Sequence, residues 1–272
     1  MCEIRMIVTD MDGTFLGANG ELIEENCQEL VRAEQKGIII AFASGRIPAV
    51  LNRIARNAGL HSCRLIGLNG AYIKKMPGDE TLLIEPIPQC LFTECLRILN
   101  DNACFFNVYT DRGVYTNRLM SEEARKRFEK NFEGRDCRVV VGRDAISCAM
   151  GEIPLKIMVH CTFNPEGSEI AKRKIACFER LQITTAKAGS FEILTDKMDK
   201  ARAVCMIAEE ENIPLSQVMA FGDYDNDIGM LQECGYSFAM GNATDSVLRS
   251  ARYITTININ GGVAMGIRRF IH

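Results

Sequence analysis

The sequence is poor in histidine, and it lacks paired cysteine motifs. Its three histidines, His61, His160 and His272, are isolated from one another and do not have the spacing of zinc ligands. Its twelve cysteines include no C-x-x-C motif, since even Cys90 and Cys95 have four residues between them. We therefore expect mostly structural, reduced thiols in a reducing compartment, with the cytoplasm as the location.

Long apolar runs and an excess of positive charge are also missing. No run reaches the roughly 20 apolar residues that cross a bilayer, and the N-terminus lacks the basic segment and cleavage site of a signal peptide. The formal net charge is -3. This balance argues against a nucleic acid or a membrane surface as a partner, although local positive charge could still bind one small anion.

Strands and helices alternate at both ends of the chain. Apolar runs predict strands over 4–8, 38–43 and 65–68, with helices over 24–36 and after Pro48. The same rhythm resumes with a helix after Lys200 and strands over 218–221 and 237–240. Such alternation is typical of parallel strands with right-handed crossovers. It predicts an α/β core with a doubly wound, mostly parallel, Rossmann-like sheet, formed by residues 1–85 and 195–272.

A different pattern fills residues 86–194. Hairpin-like strands mix with helices there, which predicts an α+β module inserted into the core. The predicted helices are 88–100, 121–131 and 165–180, and the predicted strands are 104–110, 113–117, 137–141, 155–161, 183–186 and 191–194.

Small polar residues and glycines follow each predicted core strand. In open α/β sheets the ligand lies outside the carboxyl ends of the strands, so these segments together predict one polar binding rim. The segments are Asp10-Met11-Asp12-Gly13-Thr14, Ser44-Gly45-Arg46, Asn69-Gly70, Gly222-Asp223-Tyr224-Asp225-Asn226-Asp227 and Gly241-Asn242.

The first segment carries a pair of carboxylates. Strand alternation would put Asp10 and Asp12 on one side, where one could attack phosphorus while the other exchanges a proton with the leaving oxygen. Gly13 permits a tight turn, and Thr14 can offer a hydroxyl to phosphate. Two acids in a turn are more often a helix cap or part of a calcium loop, but the EF-hand continuation is absent.

Further groups suit a charged phosphoryl substrate. Asp223 and Asp227 add negative charge, so a cation is needed, and Mg²⁺ prefers such oxygen ligands. Ser44 and the amide N–H of Gly45 can donate hydrogen bonds ahead of a helix N-terminus. Lys200 would place a point charge against the phosphoryl oxygens.

These motifs together resemble the haloacid dehalogenase-like superfamily and, within it, the Cof-like phosphatases. The four motifs are Asp10 to Thr14, Ser44 with Gly45 and Arg46, Lys200, and Gly222 to Asp227. The resemblance covers essentially the whole chain, and Met240-Gly241-Asn242-Ala243 is also typical of these proteins.

The resemblance implies a role for each motif residue. Asp10 would form an aspartyl-phosphate, and Asp12 would protonate the leaving group and then activate water. Mg²⁺ would be held by Asp10, the Asp12 carbonyl and Asp223, with Asp227 orienting Lys200 or a metal-bound water. The insertion would be the family's cap. Phosphate or substrate would be bound by Thr14, Ser44, Gly45, Arg46, Lys200 and Asn226.

The sequence departs from the family pattern at three places. Ala201 and Tyr224 stand where glycine is usual, and the segment 258–262 is less acidic than is common. None of these removes a catalytic group.

The leading hypothesis is a phosphatase for a small phosphorylated metabolite, such as a sugar phosphate or a phosphorylated cofactor. The alternatives are a phosphotransferase or mutase that uses the same aspartate, and a non-enzymatic phospho-accepting domain. The absence of G-x-G-x-x-G after the first strand argues against a dinucleotide-binding oxidoreductase. The sequence does not specify the oligomeric state.

Overall fold

A computed structural model describes residues 3–78, 80–118, 121–130, 138–142, 144–187 and 189–272, without the side chains of 124, 127, 129, 130 and 185–187. The chain forms two compact units. The first comprises the chain up to Leu83 and from Met198 onward, and the second comprises Ile84–Lys197. The sequence predicts the divides at 85/86 and 194/195, two or three residues from these bounds.

The first unit is built on an eight-stranded sheet with the order β14-β13-β12-β1-β2-β3-β4-β5. The first six strands in this order, from β14 through to β3, pair in parallel with their neighbours. Strand β4 pairs antiparallel with β3. Its strands are β1 (Met6–Thr9), β2 (Ile39–Ala43), β3 (Cys63–Gly67), β4 (Tyr72–Met76), β5 (Glu80–Ile84), β12 (Val218–Gly222), β13 (Tyr236–Ala239) and β14 (Tyr253–Ile254).

Helices pack against this sheet through apolar stripes. The helix that follows Asp199 buries Ala203, Val204 and Ile207 against a core that contains Val8 and Ala220. The doubly wound α/β prediction is confirmed. The helices of this unit are α1 (Glu24–Gln35), α2 (Pro48–Asn57), α7 (Lys200–Glu210), α8 (Ile228–Glu233), α9 (Asp245–Ser250) and α10 (Gly262–Arg268).

The second unit has its own six-stranded sheet with the order β10-β11-β9-β6-β7-β8. Only β7 and β8 pair in parallel among its described neighbours; the other pairs are antiparallel. Its strands are β6 (Phe106–Thr110), β7 (Gly113–Thr116), β8 (Arg138–Val141), β9 (Pro154–His160), β10 (Leu181–Lys187) and β11 (Ser190–Thr195).

One face of this second sheet forms an apolar core with helices. Phe106, Ile157 and Phe191 on the strands pack in a cluster with Phe92 and Ala171 of the helices. Within the described residues, no helix of either unit is long and apolar enough to cross a membrane. The helices of the second unit are α3 (Gln89–Asp101), α4 (Glu122–Lys130), α5 (Ala145–Ala149) and α6 (Pro165–Ile175).

Several element predictions need correction. Helix α6 ends at Ile175 rather than at 180, because the chain turns at Cys177 and Phe178 toward Arg180, which has a positive φ of 72°. The sequence does not predict β4, β5, β14, α5 or α8 to α10, because these elements have at most seven residues each and so give a weak periodic signal. The predicted end of α4 at Asn131 and start of β8 at Cys137 lie outside the described residues.

Candidate active site

The point where the core sheet reverses its strand order lies between β1 and β12. Strands β2 and β3 continue the sheet on one side of β1, and β12, β13 and β14 continue it on the other. Asp10 follows β1 directly, and its backbone N–H donates to the carbonyl of Phe221 on β12 (3.0 Å). Asp223 follows β12. The two carboxylates therefore stand side by side at the position where open α/β sheets bind ligands.

Lys200 bridges two buried carboxylates. Its Nζ lies 2.5 Å from Asp10 Oδ1 and 2.6 Å from Asp227 Oδ1. Lys200 is the first residue of α7, and Asp199 caps that helix by accepting from the N–H of Arg202 (2.8 Å). The cap fixes the start of the helix, so the lysine side chain enters the site from a rigid element.

The carboxylate of Asp227 is fully engaged by the protein. While Oδ1 accepts from Lys200, Oδ2 accepts from the backbone N–H groups of Asp223 (3.0 Å) and Tyr224 (3.1 Å). Asp227 is also completely buried. These contacts fit a residue that orients Lys200 and the Asp223 backbone.

Asp223 contacts the loop that follows Asp10. Its Oδ1 accepts from the Thr14 hydroxyl at 2.7 Å. Gly13 has a left-handed φ of 86°, and a Cβ at this position would clash with the Asp223 carboxylate. Glycine at 13 is therefore required twice, for the backbone conformation and for the close approach of the loop to Asp223.

Burial and neighbouring charges shift the pKa values of three residues in this cluster. Burial raises the pKa of Asp10 well above its usual range; the Lys200 ammonium lowers it, and the charges of Asp227 and Asp223 raise it further. Burial likewise raises the pKa of Asp223 to about 6, although the hydrogen bond from Thr14 opposes this. Burial lowers the pKa of Lys200, but the two carboxylates outweigh that effect and raise it above its usual value.

Asp12 lies outside this buried cluster. Its carboxylate accepts from Arg46 Nε at 2.8 Å and from Arg46 Nη2 at 2.5 Å. Strand β1 ends at Thr9, so the loop, and not strand alternation, determines where Asp10 and Asp12 point. In the structure the Arg46 guanidinium binds Asp12. The predicted contact of Arg46 with phosphate stays a prediction.

Ser44 and Gly45 stand at the carboxyl end of β2. Ser44 is buried, and its Oγ accepts from the backbone N–H of Arg46 (3.2 Å), so the hydroxyl hydrogen can turn toward a ligand. Gly45 is half-buried beside it. Helix α2 begins shortly afterwards at Pro48, as the sequence predicted.

Asn226 is exposed, and its Nδ2 donates to Asn69 Oδ1 at 3.2 Å. Asn69 is buried with a left-handed φ of 55°. The sequence places Asn69 on the predicted polar rim but indicates no role for it. The one sequence signal is Gly70, the next residue, which indicates a tight turn. That turn directs the Asn69 amide toward Asn226.

The acidic cluster is suited to a cation. Asp10, Asp223 and Asp227 each offer a carboxylate oxygen, and these oxygens lie within 4.8 Å of one another. Three ionised carboxylates against one ammonium would leave two negative charges in excess. Burial first, and then the neighbouring carboxylates, raise the pKa values of Asp10 and Asp223. A divalent cation would neutralise the excess charge with ligands of the type that Mg²⁺ prefers. Asp10 and Asp223 have more acceptor capacity left for a cation, since Asp227 already accepts three hydrogen bonds.

Curated relatives of this chain are named as phosphatases. The curated relatives include the 5-amino-6-(5-phospho-D-ribitylamino)uracil phosphatase YcsE of Bacillus subtilis (strain 168), 28% identical over 277 residues, which cover 99% of this chain and 96% of the relative. Another is the HMP-PP phosphatase of Citrobacter koseri, 23% identical over 257 residues, which cover 93% and 90%. These names agree with the prediction of a phosphatase.

Solved structures share the fold. A haloacid dehalogenase-like hydrolase from B. subtilis superposes with a TM-score of 0.84 at 23% identity, covering 98% of this chain and 100% of that chain. The family model for haloacid dehalogenase-like hydrolases matches residues 7–267, which include every motif residue discussed above. The chain therefore belongs to the haloacid dehalogenase-like hydrolase family.

Proposed function

We propose that the protein is a Mg²⁺-dependent phosphatase that hydrolyses a small phosphorylated metabolite through an aspartyl-phosphate on Asp10. The observation that carries this proposal is the position of Asp10. It is a buried carboxylate held by Lys200, and it stands beside Asp223 at the switch point of the sheet.

In the first step Asp10 attacks the phosphorus atom of the substrate. Lys200 engages Oδ1, so Oδ2 is the attacking oxygen. The new bond joins Asp10 Oδ2 to phosphorus, and the bond from phosphorus to the ester oxygen breaks. The electron pair stays on the leaving oxygen, which takes a proton from Asp12 in its carboxylic acid form and departs as an alcohol.

In the second step water hydrolyses the aspartyl-phosphate on Asp10. The Asp12 carboxylate takes a proton from a water molecule, whose oxygen bonds to phosphorus as the bond to Asp10 breaks. Inorganic phosphate leaves, Asp10 is again a free carboxylate, and Asp12 again carries a proton. The half-exposed position of Asp12 supports this role, because leaving group and water must reach the same side chain.

Asp10, Asp223 and the backbone carbonyl of Asp12 would hold Mg²⁺, which when bound neutralises charge on the carboxylates and on the phosphoryl oxygens. Lys200 and Ser44 would bind the phosphoryl oxygens, with the amide of Gly45 and the amide of Asn226. Thr14 acts through Asp223, whose carboxylate it orients.

The proposed substrate class rests on the names of two relatives. Their names specify a phospho-ribitylamino-uracil in one case and HMP-PP in another. Both are small phosphorylated compounds, which favours a sugar phosphate, a polyol phosphate or a phosphorylated cofactor as the substrate of this chain. Net charge gives no support to a nucleic-acid or membrane partner.

A phosphate-release screen tests the proposal. Purified protein with Mg²⁺ would be offered sugar phosphates, phosphorylated cofactors, nucleotides and one activated aryl phosphate, with an Asp10→Asn variant as the blank. We expect release that depends on both Mg²⁺ and Asp10. Release that persists at the same rate in the variant would rule out the aspartyl-phosphate route. Transfer of phosphate to added alcohols without free phosphate would identify a phosphotransferase instead.

We also propose that the inserted unit, Ile84–Lys197, is a cap that selects the leaving group. Its separate sheet and core support an independent role, and its second connection to the core precedes Lys200 by only a few residues. Replacing 84–197 by a glycine-rich linker should abolish the ranking among natural esters while some aryl phosphate hydrolysis survives. A folded core, verified by circular dichroism, that keeps the parent's ranking would argue against a cap.

A further inference from the structure

Three asparagine side chains hold the loop that follows the nucleophile. Each donates from Nδ2 to a different backbone carbonyl within residues 13–16. The bonds are Asn242 to Gly13 (2.8 Å), Asn26 to Phe15 (3.0 Å) and Asn258 to Leu16 (2.8 Å).

Two of these amides are bound on their acceptor side as well. Asn242 Oδ1 accepts from the backbone N–H of Asn258 (2.9 Å), and Asn26 Oδ1 accepts from the N–H of Ala264 (2.9 Å). A primary amide carries a donor and an acceptor on one rigid plane. Asparagine can therefore link the loop directly to the C-terminal segment, which alanine or aspartate at these positions could not do.

This loop sets the geometry of the acidic site. Gly13 lies directly against the Asp223 carboxylate, and Thr14 donates to it. Asp12, immediately before Gly13, supplies both the proposed acid/base group and the proposed carbonyl ligand of Mg²⁺. A shift of the Gly13 carbonyl would therefore alter the distance between the two sides of the cation site.

We propose that Asn242 is a positioning residue for the reaction, acting through the carbonyl of Gly13, with Asn26 and Asn258 anchoring the rest of the loop. This inference rests on the proposed function, since it assigns Asn242 to the placement of Asp12 and Asp223. Asn242 touches neither carboxylate itself; its partners are the Gly13 carbonyl and the Asn258 amide.

Burial separates the roles of the three asparagines. Asn26 is fully buried and Asn258 is only 9% exposed, so truncation of either leaves buried polar groups without partners and should destabilise the fold. Asn242 is exposed, so water can replace its hydrogen bonds at little cost in stability. Truncation of Asn242 would remove the directional restraint on Gly13 and the acceptor of the Asn258 N–H.

Asn242→Ala is the decisive variant, compared with Asn52→Ala as the control. Asn52 lies on α2 in the same unit, accepts from Arg56 (3.1 Å), and has no described contact with the loop. For Asn242→Ala we expect kcat/KM to fall about 10- to 100-fold, as for other small misplacements of reacting groups, mostly through kcat. The Mg²⁺ concentration for half-maximal activity should rise, and the Tm should stay near that of Asn52→Ala.

A second variant isolates the bond to Gly13. Asn242→Asp keeps an acceptor for the Asn258 amide but cannot donate to the Gly13 carbonyl, so its kcat should fall as in Asn242→Ala. Wild-type kcat in either variant would overturn the inference. So would a loss of activity in Asn242→Ala that is matched by a large fall in Tm, because that is the signature of a purely structural role.

The Mg²⁺-induced rise in Tm gives a readout that needs no substrate. Asn242→Ala should show a smaller rise than wild type and Asn52→Ala at the same Mg²⁺ concentration. Equal rises would contradict the inference even if the proposed phosphatase activity is confirmed. If wild type releases no phosphate from any ester, the proposed function fails, and the thermal measurement still decides whether Asn242 positions the cation site.

Discussion

Arg46 holds the carboxylate of Asp12 by two parallel hydrogen bonds, from Nε at 2.8 Å and from Nη2 at 2.5 Å. Such a planar two-point contact fixes the direction of a carboxylate as well as its charge. The burial of Arg46 lowers the pKa of its guanidinium, but the hydrogen bonds to Asp12 outweigh this and raise it. Both side chains remain partly open to water, at 32% for Arg46 and 43% for Asp12.

Arg46→Gln should impair the proton transfer that we assign to Asp12. With alkyl phosphates, whose leaving oxygen needs a proton, we expect kcat to fall about tenfold. This is less than the roughly 100- to 10,000-fold contribution of general acid–base catalysis, because Asp12 itself is retained. A single turnover of an activated aryl phosphate should change much less, because its leaving group departs without a proton. Rapid-quench measurements on both substrate types provide the comparison. Equal losses on the two would argue against a role through Asp12.

Asp10→Asn should remove the nucleophile while preserving the shape of the site. We expect kcat to fall at least about 1,000-fold, as for other nucleophiles that act within a catalytic unit, and the circular dichroism spectrum to stay unchanged. Asp225→Asn is the matched control, because Asp225 is an exposed carboxylate that accepts from Thr244 (3.0 Å) and Ser246 (2.5 Å). The assignment of Asp10 fails if its variant retains kcat close to that of the control.

Lys200→Met should destabilise the core unit, because it leaves Asp10 and Asp227 buried without their shared cation. Removing one partner of a buried ion pair costs about 3–5 kcal/mol in the free energy of unfolding. Arg202→Met on the same helix is a suitable control, since Arg202 is 57% exposed in its pair with Asp199 and such pairs contribute about 0–1 kcal/mol. Urea unfolding at pH 7 provides the test. A loss no larger than that of the control would show that the bridge is unimportant for stability.

The Mg²⁺-free protein should lose stability as pH rises through about 6. The folded pKa of Asp223 is raised to about 6, above the unfolded value near 3.9, so between these values the folded state binds a proton that the unfolded state has released. The stability that Asp223 contributes is therefore fully present below about pH 3.9 and is lost as the pH rises through about 6.

Mg²⁺ should reverse this trend, because it binds the ionised carboxylates. The rise in Tm on adding Mg²⁺ to chelated protein should be small at pH 5 and large at pH 7.5. Asp223→Asn should have a weaker pH dependence and a much smaller response to Mg²⁺. A Mg²⁺ response that is independent of pH in wild type would contradict cation binding at Asp223.

The sequence by itself determined the family, the α/β core and the order of the motif residues along the chain. It could do so because strand–helix alternation produces parallel strands, and the carboxyl ends of parallel strands meet at one edge of a sheet. Asp10 after β1, Ser44 after β2 and Asp223 after β12 follow from that rule alone. Their placement needs no knowledge of any particular side-chain contact.

The tertiary structure alone decided which of these side chains contact one another. Arg46 pairs with Asp12, and Lys200 bridges Asp10 and Asp227. Asn242 reaches Gly13 across 229 residues of sequence. No periodic pattern specifies such contacts, because they depend on how closely individual loop side chains approach one another after the sheet has brought the loops into the same region.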